Sequence, residues 1–216
     1  MADSSSRAGA RDYATPAILD YTNRVHASHD GGLAAAFAVP EGIPAIQVGP
    51  SEGRLLGLLV QLARARKIVE VGTLVGYSAI HMARALPADG HLWSVEFDAK
   101  HAKVARDNLA RAGVAERVTV LDGAGRDVLP TLSARGPFDL VFIDADKDNY
   151  DFYGAWALEH LRSGGIVIGD NVFLFGHLLE DDPRGRAMRA FHEAVAARCD
   201  SVCVPTPDGM VVGIKK

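Results

Sequence analysis

Cysteine is scarce in this chain of 216 residues, where Cys199 and Cys203 are the only two. They are too few for a disulfide framework, and no Cys-x-x-Cys or Cys/His ligand spacing surrounds them. Both read as free thiols in a reducing compartment. Positive charge is short as well: 23 Lys and Arg face 27 Asp and Glu, a formal net charge of −4. Nothing in those totals points to a nucleic-acid backbone or an anionic membrane. Apolar runs are all far shorter than the ~20 residues of a membrane span. The start, Met1 to Arg7, lacks the apolar core of a signal peptide. The expected compartment is the cytoplasm.

What is present fits an ordinary globular protein, with 48% hydrophobic and 23% charged residues. The length suits one domain with a full core. Residues 1–15 are small and polar and read as a flexible tail, leaving 16–216 as a single domain. Pro16 suits the first turn of a helix whose apolar face runs through Ile18, Leu19, Tyr21 and Val25. Ser51 is placed as the N-cap of a later helix, with Leu55, Leu56, Leu59 and Leu62 as its buried stripe.

From there the pattern alternates. Apolar runs at Ile68–Val71, Leu92–Val95, Val118–Leu121, Leu140–Ile143 and Ile166–Ile168 read as strands. Helical stretches separate them: Ser78–Leu86, Asp98–Ala112, a short one near Arg126–Leu132, and Tyr150–Leu161. Wholly apolar strands alternating with helices mean a doubly wound α/β fold, a mostly parallel sheet covered on both faces. After a helix near Arg186–Arg198, the segments Ser201–Val204 and Met210–Ile214 flank the turn residues Asp208-Gly209 and close the sheet as an antiparallel hairpin.

Open parallel sheets bind ligands at the carboxyl ends of their strands. The first apolar run leads into Glu70-Val71-Gly72-Thr73-Leu74-Val75-Gly76-Tyr77-Ser78. Two glycines let the backbone turn tightly and approach a ligand, and the helix start behind them offers free N–H groups to an anion. A dinucleotide site requires a glycine where Leu74 stands. A ligand with a carboxylate and no phosphate fits better, as at the methionine end of S-adenosylmethionine. Glu96 ends the second run roughly 20 residues on, the place of an acid that accepts from ribose hydroxyls. Gly123 and Ala124, after the third run, are placed to flank an adenine ring.

A second cluster follows the fourth and fifth runs. Asp144-Ala145-Asp146-Lys147 and Gly169-Asp170-Asn171 each sit at the ligand edge. If those strands are neighbours, Asp144, Asp170 and Asn171 converge as an all-oxygen set suited to Mg²⁺, Mn²⁺ or Ca²⁺ and poor for zinc. Lys147 lies near that cation. A neighbouring positive charge and partial burial both disfavour its ammonium form, which makes it a candidate base.

On these segments, joined by Ile46-Gln47-Val48-Gly49-Pro50, Asn149-Tyr150 and Pro207-Asp208-Gly209, the chain closely resembles the cation-dependent O-methyltransferases of the caffeoyl-CoA and catechol O-methyltransferase type. The resemblance runs from about Ile46 to Ile214 and implies a seven-stranded sheet with an antiparallel last hairpin. It implies that Val48, Glu70, Gly72 and Ser78 hold the methionine part of S-adenosylmethionine, with Thr73 in the same turn, Glu96 the ribose and Ala124 the adenine side. It also implies that Asp144, Asp170 and Asn171 bind the cation, that Asp144 bridges cation and cofactor, and that Lys147 is the base. Family members are commonly homodimers. Two positions depart: Leu174 stands where the family usually has Trp, and His192 follows Phe191 where it usually has an acceptor-holding Asn.

The expected activity is methyl transfer from S-adenosylmethionine to one hydroxyl of a catechol-like or other vicinal-diol aromatic. Two other readings stand beside it. One is a metal-independent methyltransferase of the same fold acting on an amine or base. The other is a nucleotide-binding oxidoreductase or non-catalytic binding module, against which Leu74 argues. Acceptor contacts are expected from the loop Phe173–Pro183 and the segment His29–Ile43. The remaining histidines and Glu180-Asp181-Asp182 read as ordinary core or surface residues.

Overall fold

Alternation of side chains across the pleat explains why the strands read as unbroken apolar runs. In a computed structural model of the chain, which describes residues 14–216, Ile68, Leu140, Phe142, Ile166 and Ile168 enter one core, while Val69, Val71, Val141, Ile143 and Val167 enter another on the opposite face. In the central strands these side chains are wetted on neither side, so no polar alternation survives there.

The sheet has seven strands in the order β3-β2-β1-β4-β5-β7-β6. These are β1 (Lys67–Val71), β2 (His91–Glu96), β3 (Val118–Asp122), β4 (Phe138–Ile143), β5 (Leu161–Asp170), β6 (Cys199–Val204) and β7 (Met210–Lys215). The first five pair in parallel; β7 pairs antiparallel with both β5 and β6. Helices α2 (Gly31–Phe37), α3 (Pro50–Leu62), α4 (Tyr77–Ala85) and α5 (Ala99–Arg111) contribute to the first core. Helices α6 (Gly125–Leu132), α7 (Tyr150–His160) and α8 (Pro183–Arg198) contribute to the second. Strand order reverses between β1 and β4, and that switch point is where such sheets open a crevice.

The doubly wound sheet and its antiparallel hairpin are as the sequence indicates. Several local features are not. Gly49, not Ser51, caps α3: Pro50 takes the first helical position, and the Glu52 carboxylate accepts the Gly49 N–H at 2.6 Å. The buried stripe of α3 is Gly53, Leu56, Gly57 and Val60, while Leu62 is 79% exposed. The two glycines turn that face inward because α4 lies too close for larger residues; a Cβ at Gly57 would meet the His81 carbonyl oxygen at 3.2 Å. Strand β5 starts at Leu161, which the sequence assigned to the preceding helix. Asp182, expected in a solvated loop, instead caps α8 by accepting the Gly185 N–H at 2.6 Å.

Helix α1 (Pro16–His26) forms with Thr15 as its cap, yet Ile18, Leu19, Tyr21 and Val25 are exposed. Most of the expected tail, residues 1–13, lies outside the described residues. Among the described residues no helix is long and apolar enough to cross a membrane.

Candidate functional site

The turn after β1 is held by two acidic side chains, Glu96 through the turn's backbone amides and Glu70 through serine hydroxyls. Gly72 and Gly76 have φ of +98° and +82°, and Leu74 between them has φ of +49°. That left-handed leucine is unfavourable in isolation. It is held from outside, because Glu96 at the end of β2 accepts the amides of Leu74 at 2.7 Å and Thr73 at 3.1 Å through Oε2. Glu96 Oε1 accepts the Asp98 amide at 2.9 Å and lies 3.5 Å from His101 Nδ1. The expected ribose acid is therefore also the clamp of the glycine turn.

Beneath the turn, Glu70 is wholly buried. Its Oε1 accepts the Ser78 hydroxyl, and Oε2 the Ser94 hydroxyl. Burial pushes its carboxyl up to about 8, against the two serine hydrogen bonds. Thr73 and Ser78 are buried with it, Thr73 Oγ1 sharing a hydrogen bond with Ser94 Oγ, and Val48 is buried in the first core. Gly123 and Ala124 follow β3, beside β2 in the sheet; the Gly123 amide donates to the Glu96 carbonyl at 2.8 Å, and Ala124 caps α6. Of the nine residues expected around a cofactor, Glu70, Gly72, Thr73, Ser78, Glu96, Gly123 and Ala124 thus lie at the ends of β1, β2 and β3 or in the turns and helix starts that follow them, whereas Val48 precedes α3 and Asp144 follows β4.

The second cluster sits across the switch point. Strands β4 and β5 are parallel neighbours, so Asp144, Asp170 and Asn171 do reach one edge. Asp170 is 2% exposed, and its Oδ1 has no hydrogen-bond partner. Burial, then the charges of Asp144, Glu52 and Asp208, raise its carboxyl to about 8. Asp144 is raised as well, by burial, although Lys147 opposes the shift. Lys147 Nζ donates to Asp144 Oδ1 and to the Tyr150 hydroxyl, each at 3.1 Å. The Tyr150 oxygen lies 2.6 Å from the Asp170 carbonyl and 2.9 Å from that of Ile143, pinning the ends of β4 and β5 together.

Sequence reasoning left out two carboxylates of this neighbourhood. Glu52 feels both Asp144 and Asp208, and burial raises its carboxyl. Its signal was the spacing of three from the helix-capping glycine. Asp208, read as a turn residue, accepts the Asn171 side-chain amide. Asp146 turns away, accepting the Tyr153 hydroxyl at 2.6 Å and the Asn149 amide. Of the two departures, Leu174 is buried in the second core at φ of +51°. His192 Nε2 lies 3.1 Å from the Val172 carbonyl, beside Asn171. Among the described residues no group of three His, Cys, Asp or Glu side chains is arranged to hold a metal ion; the set in question is two carboxylates and one amide.

The chain as a whole has similar proteins. The model of the O-methyltransferase family matches residues 34–216. A catechol O-methyltransferase of Niastella koreensis is 42% identical over 200 residues, covering 87% of this chain and 90% of that one. A catechol O-methyltransferase of Mycobacterium tuberculosis is 45% identical over 163 residues, 74% of each chain. Among solved structures, an O-methyltransferase of Bacillus cereus in complex with SAH superposes with a TM-score of 0.88 at 38% identity, covering 93% of this chain and 97% of that one. Matched over most of its length at this level, the chain belongs to the O-methyltransferase family of S-adenosylmethionine-dependent enzymes.

Proposed function

We propose that this methyltransferase acts on one hydroxyl of a catechol-like aromatic and does so with a divalent cation held by Asp144, Asp170 and Asn171. The observation that carries the reading is the buried Asp170 oxygen without a partner, set among the charges of Asp144, Glu52 and Asp208. Lys147 is the cationic side chain paired within that group. Buried carboxylates that outnumber their cations are costly unless a further positive charge joins them. An all-oxygen set of two carboxylates and an amide suits a hard ion such as Mg²⁺. The names of the two relatives, both catechol O-methyltransferases, favour the same acceptor class.

In this reading the cofactor lies along the first three strands. Gly72 and Thr73 bring backbone close to its methionine end, Ser78 and Val48 flank it, and Glu70 fixes Ser78 from below. Glu96 and the Gly123-Ala124 corner take the nucleoside. A divalent cation, when bound, favours the phenolate over the phenol and orients two vicinal oxygens. Lys147 Nζ, 3.1 Å from Asp144 Oδ1, would act as the neutral amine, the bound divalent cation taking over the charge that its ammonium supplies. In that form it would accept the proton of the reacting hydroxyl. Asp144 stands between the two halves, and placing both reactants on one rigid edge supplies much of the remaining acceleration.

The test is methyl transfer to a panel of catechols, hydroxycinnamates and flavonoids, read by mass spectrometry. Activity should vanish in excess EDTA and return with Mg²⁺. Full turnover in EDTA, or by Asp144→Ala, would instead favour a metal-independent enzyme.

A further inference from the structure

The hairpin turn between β6 and β7 is more than a chain reversal. It is fastened to the loop leaving β5 by three hydrogen bonds. The Val172 amide donates to the Gly209 carbonyl at 3.0 Å, and the Phe173 amide to the Asp208 carbonyl at 2.9 Å. The third joins side chains: Asn171 Nδ2 donates to Asp208 Oδ2. Gly209 has φ of +81°, and a Cβ there would strike the Phe173 ring at 2.7 Å, so the contact is close along its length.

An ionised carboxylate only accepts hydrogen bonds, whereas an asparagine amide donates from one end and accepts at the other. The end of Asn171 that meets Asp208 must therefore be its NH₂. Its Oδ1 is turned away from Asp208 and has no partner among the described residues. Asn171 itself sits at φ of +53°, a conformation that asparagine tolerates better than most residues. Backbone and side chain are thus both fixed, the first by the loop and the second by Asp208.

We infer that Asp208 is a positioning residue, which holds the Asn171 amide with its oxygen presented to the cation shared with Asp144 and Asp170. The inference rests on the cation reading proposed above. Groups behind a metal ligand that fix its orientation typically change affinity by about 10–100-fold when removed. A turn aspartate on a different strand pair from the ligands takes that role here.

The experiment is a Mn²⁺ titration of the full chain, saturated with S-adenosylhomocysteine, with free Mn²⁺ followed by EPR. Asp208→Ala should weaken Mn²⁺ binding by about tenfold or more. Asp208→Asn, which keeps an acceptor, should weaken it less. S-adenosylhomocysteine affinity, measured by calorimetry, should stay within about twofold in both, because neither residue belongs to the cofactor half. The decisive comparison uses Asn171→Asp, whose carboxylate presents oxygen in either orientation. In that background Asp208→Ala should cost no further Mn²⁺ affinity. Equal loss in both backgrounds, or a parallel fall in cofactor affinity and melting temperature, makes Asp208 merely structural and overturns the inference. Unchanged Mn²⁺ affinity in Asp208→Ala overturns it too, with the cation reading intact. A wild-type chain that binds no Mn²⁺ overturns the cation reading itself.

Discussion

Gly72 and the carbonyl oxygen of Asp144 lie so close that a Cβ on the glycine would sit 1.9 Å from that oxygen. The first residue of the glycine turn and the candidate cation ligand are thus pressed backbone to backbone where β1 and β4 end. The Asp144 amide also donates to the Val71 carbonyl at 2.8 Å.

Gly72→Ala should therefore damage both halves of the site. Backbone atoms do not yield as a flexible side chain does, and alanine at φ of +98° is strained in any case. We expect a loss of about 2 kcal/mol or more of stability and a fall of at least about tenfold in S-adenosylhomocysteine affinity. Urea denaturation and calorimetry check these. A variant with unchanged affinity would show that the strand ends relax apart freely.

Glu70 should make stability fall as pH rises. Its folded carboxyl titrates near 8 against an ordinary 4.5, chiefly because it is buried. The folded state therefore holds a proton that the unfolded chain releases, and this contribution is full below about pH 4.5 and lost as pH rises through 8. Glu70→Gln, permanently neutral, should flatten that slope. The wild-type deficit relative to the variant should grow by about 1 kcal/mol or more between pH 5 and pH 9. Denaturation curves at the two pH values that differ by the same amount in both proteins would refute the assignment.

Lys147→Met keeps the length and apolar stem of the side chain but removes its amine. Loss of a general base typically costs about 10²–10⁴-fold in rate. We expect a kcat decrease in that range with S-adenosylhomocysteine affinity within about threefold. Single-turnover methyl transfer separates chemistry from release, and near-normal single-turnover rates would move the proton acceptor elsewhere.

Asp139 illustrates the opposite edge of the sheet, where effects should be on stability alone. It accepts the Arg66 and Lys67 amides at 2.8 and 2.9 Å and Arg162 Nε at 2.6 Å. Burial works against the charge, yet those donors outweigh it and hold the carboxyl below its usual value. Its contribution is present above an ordinary carboxylate pKa of 3.8 and lost as pH falls through the lower folded value. Asp139→Ala should cost about 1–3 kcal/mol at pH 7, less in strong acid, and leave cofactor affinity unchanged. A change in cofactor affinity without a change in stability would contradict this division of the sheet.

Much of this was legible in the sequence for identifiable reasons. The central strands announce themselves because they are buried on both faces, so Ile68–Val71 and Leu140–Ile143 admit no polar residue except Glu70. The acids at Asp144 and Asp170 were legible because chemistry in parallel sheets gathers at strand ends. The cap and stripe of α3 were misread because leucines outweigh glycines in a hydrophobic pattern. Packing selected Gly53 and Gly57 instead, since helix–helix closeness rewards the absence of a side chain.

The sequence by itself determined the fold class, the glycine turn after β1 and the acids at the ends of β4 and β5, because these follow from periodicity and from chemistry local to a strand end. Only the tertiary structure decided that Glu96 clamps Leu74, that Tyr150 ties β4 to β5, and that Asp208 faces Asn171 across 37 positions. Those relationships depend on which strands become neighbours. Neighbourhood is a property of the closed sheet, in which β7 inserts between β5 and β6 and brings its turn to the edge where Asn171 stands.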